Sequence, residues 1–433
     1  MRLLVLGAGV SGRAVARLAR TRGHVVTVFD EGRVDLSGLL DMGVGVVSGA
    51  WDAGLLDGID LVVASPGFSE RSLPVVESLE WGLPIWSEIE YAWRSLDDVP
   101  VVAITGTNGK TTVTSLTAQM LEASGVRTAT AGNIGTPLSE AVGLHLDVLV
   151  VEVSSFQLRF IDRFHPVAAA ILNVAADHLD WHGSVQSYAA AKRRIFERQQ
   201  VDDLLVYDAD DSGAVEAVRH AASRLHPVSS STLPSGGSGV SHNLLHVGED
   251  VRVPLGQLGS RDPAHVVDLA IAGILALDRG ADPDAVVAVM TGFSPGPHRR
   301  VLVGTVNGVG YVDDSKATNP HAALAAISSF PSVVLIAGGL SKGLDLTPLA
   351  TAPEVRAVVA LGTAGPELVA TAGENGHLVA TMEEAVETAS SLAKPGDTVL
   401  LAPGAASFDQ FDSYAHRGDV FAAAVARLAE ENR

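Results

Sequence analysis

Residues 101–112 read VVAITGTNGKTT, and this stretch decides the fold. Val101 to Ile104 form an apolar run with no polar face, the composition of a strand buried on both sides of a parallel sheet. The run leads into Gly106, Thr107, Asn108 and Gly109, then Lys110, Thr111 and Thr112, and on into a helical pattern, VTSLTAQMLEA. Strand, glycine loop, Lys-Thr and helix in that order make a phosphate cradle. Backbone N–H groups at the helix N-terminus face phosphate oxygens, Lys110 neutralises the outer phosphates, and the Thr111 hydroxyl serves as a Mg²⁺ ligand. The usual pattern has four residues between the first glycine and the Gly-Lys pair. Here Gly106 and Gly109 enclose only two, so the loop is a shortened relative. These seven residues are the candidate nucleotide-phosphate loop.

The chain before it carries a second nucleotide signature. A short strand, LLVL, runs into GAGVSG with Gly7, Gly9 and Gly12, then a helical pattern, then the strand VVTVFD ending at Asp30. Glycines at this spacing with an acid about twenty residues on fit a dinucleotide unit of a dehydrogenase. They fit equally any ligand that presents a diphosphate to a helix N-terminus and a ribose to the next strand end. The triphosphate cradle weakens the dehydrogenase reading, since hydride transfer needs no triphosphate.

The length of 433 residues sets a prior of about three domains. SLDDVP, before Val101, and SPGPHRR, near residue 298, read as junctions. After the second junction VGYVDDS, VVLIAGG, VRAVVALGTAG and VLLAPGAAS repeat the strand-then-loop plan, with functional loops expected at the carboxyl ends of parallel strands. The fold class is therefore α/β, three domains in series: a Rossmann-like N-terminal domain (1–96), a P-loop-type central domain with a mostly parallel sheet (97–298), and a Rossmann-like C-terminal domain (299–433). The Ser- and Gly-rich stretch from Ser229 to Ser241 is expected to be a mobile loop. A formal net charge of −20 argues against nucleic acid or an anionic membrane as partner. The absence of cysteine excludes disulfides, thiolate metal sites and cysteine nucleophiles. No leader and no spanning segment is visible, so a cytoplasmic protein is expected.

Further motifs narrow the reading. GNIG with Asn133, EVSSFQL from Glu152, ILNVAADHLDWHGS with Asp177 and His178, AAKRRIF with Lys192, GPHR with His298 and Arg299, DDSKATNP from Asp313, GGLSKG with Lys342 and APGAASFDQF with Ser407 and Phe408 follow one another along the chain. Together with GTNGKTT this ordered set resembles the ATP-dependent Mur ligase family over essentially the whole chain. DSKATN is similar to its D-glutamate-adding members in particular.

The resemblance implies a reaction in which ATP, UDP-MurNAc-L-Ala and D-glutamate give an amide, ADP and phosphate, in peptidoglycan precursor synthesis; the chain is expected to be a monomer. It implies two Mg²⁺ ions. Thr111 and Glu152 would ligate the first, and His178 and Lys192 would support the second. A free ammonium cannot bind Mg²⁺, so the Lys192 role requires its carbamate. Lys110, Lys192, His178 and Arg299 are the implied catalytic residues. Arg299 and Asp314 would close over ATP, and Lys316, Thr318, Lys342, Ser407 and Phe408 would hold D-glutamate. GAGVSG then serves UDP rather than NAD. Val10, Ser11 and Gly12 would sit at the phosphates, Asp30 near the uridine, Gly67 beside the nucleotide, and Asn133 and His178 with the sugar-peptide. One departure stands out: DPAHVVDLAIAG places His265 and Asp268 where asparagines are common, which leaves the adenine contacts open.

Overall fold

The computed structural model describes residues 1–32 and 37–432. It contains three β-sheets. The first comprises β1 (Arg2–Leu6), β2 (Val25–Asp30), β3 (Gly45–Ser48), β4 (Leu61–Ala64) and β5 (Ile85–Ser87) in the order β3-β2-β1-β4-β5, with every pair parallel. Strand order reverses between β1 and β4, so Gly7–Gly9 and Ser65–Gly67 flank the switch-point crevice where open α/β sheets bind ligands.

The second sheet comprises β6 (Val101–Thr105), β7 (Thr128–Gly132), β8 (Val148–Glu152), β9 (Ala168–Ile171), β10 (Leu204–Asp208), β11 (Arg224–Ser229), β12 (Ser238–Ser241), β13 (Leu244–Val247) and β14 (Val251–Pro254). Its order is β14-β13-β12-β11-β10-β9-β6-β8-β7, antiparallel only where β12, β13 and β14 pair. All five residues of β6 are buried. Val102 and Ile104 enter the core on one face, Val101 and Ala103 the core on the other, which is why the strand shows no polar side.

The third sheet comprises β15 (Val301–Val306), β16 (Val309–Asp313), β17 (Val333–Gly338), β18 (Val355–Leu361), β19 (Gly376–Leu378) and β20 (Thr398–Leu401), in the order β15-β16-β20-β17-β18-β19 with β15 antiparallel. The chain forms two compact units. One is Met1–Val174 with Gln186–Phe293 and holds the first two sheets; the other is Ala175–Val185 with Ser294–Arg433 and holds the third. Among the described residues no helix is long and apolar enough to cross a membrane.

One expectation is corrected. The stretch from Ser229 to Ser241 is ordered, not a mobile loop. Its ends are β11 and β12, paired in parallel at Val228–Ser238 and Ser229–Gly239. Between them Asp210 gathers the segment: its carboxylate accepts from the Ser229 hydroxyl at 2.7 Å, the Ser231 hydroxyl at 3.2 Å and the Ser230 N–H at 2.8 Å. The serines act as hydroxyl donors to one carboxylate, a role that composition alone reads as flexibility.

Candidate active site

The phosphate loop leaves β6 and ends at Gly109, the N-cap of helix Lys110–Ala123, with φ +84°. Glycine at the N-cap brings no side chain to that helix end, the kind of terminus whose N–H groups receive anions. Glycine is required at 109 twice over: the backbone is left-handed, and a Cβ would lie 2.7 Å from Asp268 Oδ1 and 3.0 Å from Leu172 Cδ1. Thr107 N–H donates to the Asn173 carbonyl at 3.0 Å and Asn108 N–H to Asn173 Oδ1 at 2.7 Å, so the loop is held by the segment following β9. The switch point of this sheet, where β6 lies between β8 and β9, thus sets the loop.

Lys110 Nζ donates to the carbonyls of Gly106 (2.7 Å) and Thr107 (2.9 Å). Thr111 Oγ1 donates to Glu152 Oε2 at 2.9 Å, at the end of the neighbouring β8, where Glu152 is buried. Asn133 Nδ2 donates to the other oxygen of the same carboxylate at 2.8 Å. The structure therefore gathers Thr111, Glu152 and Asn133, the last expected on the sugar side. Lys192, only 1 % exposed, donates to the Gly106 carbonyl at 2.6 Å and lies 4.5 Å from the centre of the Tyr188 ring, while Tyr188 OH meets Thr107 Oγ1 at 3.1 Å. Two lysines converge on one loop carbonyl. His265 Nδ1 is 2.8 Å from Ser260 Oγ, and Asp268 is buried against the loop at Gly109.

At the N-terminal turn, Val10 is 68 % exposed and Ser11 half-buried at the start of helix Val10–Thr21. Gly12 is buried: a Cβ there would stand 1.9 Å from the Gly7 carbonyl oxygen, so this glycine lets the helix close on the turn. Asp30 accepts the Ala8 N–H at 2.7 Å and the Gly32 N–H at 2.8 Å, fixing the glycine turn to the end of β2. Gly67 is exposed beyond β4.

The second unit carries the remaining candidates. Asp314 is buried, and burial pushes its carboxyl up to about 6 despite Arg300, whose Nε is 3.8 Å away, and the charge of Arg299. Arg300, next to the expected site residue Arg299, is thus the arginine beside Asp314. Lys342, with φ +55°, is 3.6 Å from Asp177 Oδ1, and Asn319 Nδ2 donates to Asp177 Oδ2 at 3.4 Å. His178, also left-handed at φ +52°, has Nε2 3.7 Å from the same carboxylate. Lys316 Nζ stands over the Tyr414 ring at 3.7 Å, Thr318 is half-buried, Ser407 is buried and Phe408 is 72 % exposed. Lys316 and Thr318 follow β16, Ser407 and Phe408 follow β20, and Lys342 follows β17. These are three adjacent strands of one sheet.

The sequence profile of the Mur ligase middle domain matches residues 104–235, and that of the Mur ligase glutamate ligase domain matches residues 298–405. The UDP-N-acetylmuramoylalanine–D-glutamate ligase of Frankia casuarinae is 41% identical over 98% of this chain and 93% of its own length. The protein of the same name from Mycobacterium avium is 37% identical over 98% and 96%.

The chain belongs to the Mur ligase family.

Among solved structures, a pseudomurein peptide ligase type C from Methanothermus fervidus superposes with a TM-score of 0.60 at 18% identity over 99% of both chains. The UDP-N-acetylmuramate–alanine ligase of Thermotoga maritima gives 0.55 at 17% over 100% of both. These two likenesses concern the fold. Several residues of this Mur ligase at the candidate site had no assigned role in the sequence reading: Asn173, Tyr188, Asp177, Asn319, Arg300 and Tyr414. Two had a legible signal. Asn173 comes two residues after a buried strand, and Tyr188 precedes Lys192 by four residues on one helix, hence shares its face.

Proposed function

We propose that this Mur ligase adds D-glutamate to UDP-N-acetylmuramoyl-L-alanine at the expense of ATP, a step of peptidoglycan precursor synthesis. The observation that carries the reading is the near full-length likeness to relatives bearing that name. The phosphate loop with its joined Thr111–Glu152 pair supports it. Dependence on ATP and a UDP-sugar argues for a cytoplasmic enzyme, and the strongly acidic chain for a monomer.

The L-alanyl carboxylate attacks the γ-phosphorus of ATP, the bond to the ADP oxygen breaks, and an acyl phosphate forms. The D-glutamate amine then attacks the carbonyl, phosphate departs, and the amine proton is lost to solvent. Negative charge grows in both steps, so fixed cations and N–H donors contribute most of the acceleration. Lys110 and the N–H groups at the start of helix Lys110–Ala123 would hold the phosphates. Thr111 Oγ1 and Glu152 Oε2, both hard oxygen donors 2.9 Å apart, fit one Mg²⁺, which when bound offsets phosphate charge. Among the described residues no group of three or more His, Asp or Glu forms a ready metal cage. As a free amine Lys192 fits no cation; a carbamate on Nζ would give it oxygen ligands for a second. Arg299, Asp314 and His178 are assigned to the nucleotide and its acyl partner. Lys316, Thr318, Lys342 and Ser407 supply donors for the two carboxylates of D-glutamate, with Phe408 beside them. Val10, Ser11, Gly12, Asp30, Gly67 and Asn133 are assigned to the UDP-sugar.

The test is phosphate release with ATP, Mg²⁺ and UDP-MurNAc-L-Ala, run with D-glutamate, with L-glutamate and with no amino acid. Release that requires both D-glutamate and the UDP-sugar is expected. Turnover with another amino acid and none with D-glutamate would overturn the assignment while leaving the family.

A further inference from the structure

Arg417 is among the largest fully buried side chains of the molecule, 2 % exposed on helix Tyr414–Glu431. Its three hydrogen bonds all go to neutral oxygens: Nε to Ser315 Oγ at 2.9 Å, one Nη to the Ser315 carbonyl at 2.9 Å, the other to the Ala405 carbonyl at 3.1 Å. Burial holds its pKa down, to about 10, against the opposing charges of Asp409 and Asp313. A guanidinium satisfied only by neutral groups costs desolvation that an apolar side chain of similar volume would avoid. Its use therefore lies in what the fork joins.

Ser315 sits between Asp314 and Lys316; Ala405 comes two residues before Ser407. Arg417 bonds both loops at once. Ser315 Oγ also donates to the Tyr414 carbonyl at 2.7 Å, at the start of the same helix, and the Lys316 ammonium rests on the Tyr414 ring. Gly404 N–H reaches the Ala317 carbonyl at 2.9 Å. The third loop joins next door, where Leu340 and Ala406 exchange two backbone hydrogen bonds of 2.9 Å. Gly339 permits this approach, since a Cβ there would lie 2.3 Å from the Ala406 carbonyl oxygen. The loops carrying Lys316 and Thr318, Lys342, and Ser407 and Phe408 thus share one junction, and Arg417 is the side chain that spans it.

We propose that Arg417 is a positioning residue for the amino-acid acceptor: without touching D-glutamate, it sets the spacing of the 314–319 and 405–408 loops whose donors receive its two carboxylates. The proposal rests on the reading that those loops hold D-glutamate. Arg417→Lys keeps a cation but loses the planar fork. Its KM for D-glutamate rises about tenfold to a hundredfold, while the KM values for ATP and the UDP-sugar stay within about twofold. Ser315→Ala, which removes one small hydroxyl from the same junction, shifts the same KM in the same direction. Guanidinium at low millimolar concentration restores Arg417→Ala in part. A merely structural arginine would lower thermal stability and move all three KM values together, or none, and that result overturns the proposal. Lys316→Ala and Ser407→Ala are run in parallel. If they leave the D-glutamate KM unchanged, the site reading falls; if they raise it and neither Arg417→Lys nor Ser315→Ala does, the positioning role alone falls.

Discussion

Glu88 is a carboxyl placed where charge has no support. It is fully buried; one oxygen accepts the Ser139 N–H at 2.6 Å, and the other has no hydrogen-bond partner among the described residues. Burial pushes it from 4.5 up to about 7, with Glu140 adding and Ser139 opposing. Between those values the folded chain holds a proton that the unfolded chain has released. Stability is therefore full below about 4.5, declines as pH rises, and levels off above about 7, a loss of about 3 kcal/mol. Glu88→Gln keeps the acceptor and never ionises. Urea unfolding at about pH 5 and about pH 8 should show the parent weakening and the variant flat, so that the variant is the more stable at the higher pH. A parent equally stable at both contradicts this. Lys192 is the opposite case, a buried amine whose proposed value lies in becoming an anion. Lys192→Ala should abolish ligation with the fold intact, and formate or acetate should restore part of it by standing in for the carbamate. Full activity of Lys192→Ala without additive would sink the carbamate.

Helix Glu88–Trp93 is six residues long, too short to persist on its own contacts. What fixes it is Glu90, 0 % exposed, whose carboxylate accepts the N–H groups of Asp162 (2.9 Å), Arg163 (3.0 Å) and Phe164 (2.9 Å) and the Arg94 Nε at 2.5 Å. Removing one partner of such a buried set leaves the others unpaired. Glu90→Ala should cost about 3 to 5 kcal/mol, seen as a lower urea midpoint with unchanged turnover below the transition; a loss under about 1 kcal/mol would make the carboxylate incidental. No sequence pattern announced this contact, because Glu90 and Asp162 are far apart in the chain. The elements that were legible carry their information locally. β6 shows apolar residues on both faces, Gly109 follows at the turn, and Lys110 opens the helix. The same holds for Gly7, for Glu152 at a strand end and for the loops after β16, β17 and β20. What stayed hidden is long-range or depends on partners: Asn133 on Glu152, Arg300 beside Asp314, Arg417 beneath two loops. The Ser229–Ser241 stretch misled because hydroxyls suit a solvated linker and a carboxylate cage equally, and only Asp210 decides between them.

At the scale of the whole molecule the chain passes from the first compact unit to the second at Ala175, returns at Gln186 and leaves again at Ser294. The short excursion carries Asp177 and His178, so the second unit draws part of its candidate site from inside the first unit's sequence. Each unit has apolar cores of its own, around the first two sheets in one and on both faces of the third sheet in the other. Separate cores unfold separately unless an extensive apolar interface couples them. Calorimetry should therefore resolve two transitions. The phosphate loop belongs to the first unit, so a non-hydrolysable ATP analogue with Mg²⁺ should raise that unit's transition, by about 2.7 kcal/mol at a hundred times its Kd. Gly109→Ala identifies which transition this is. Its Cβ would strike Asp268 at a left-handed position, so the variant should lose the nucleotide shift and leave the other transition where it was. One cooperative transition, shifted as a whole by the analogue, would mean that the two units unfold as one.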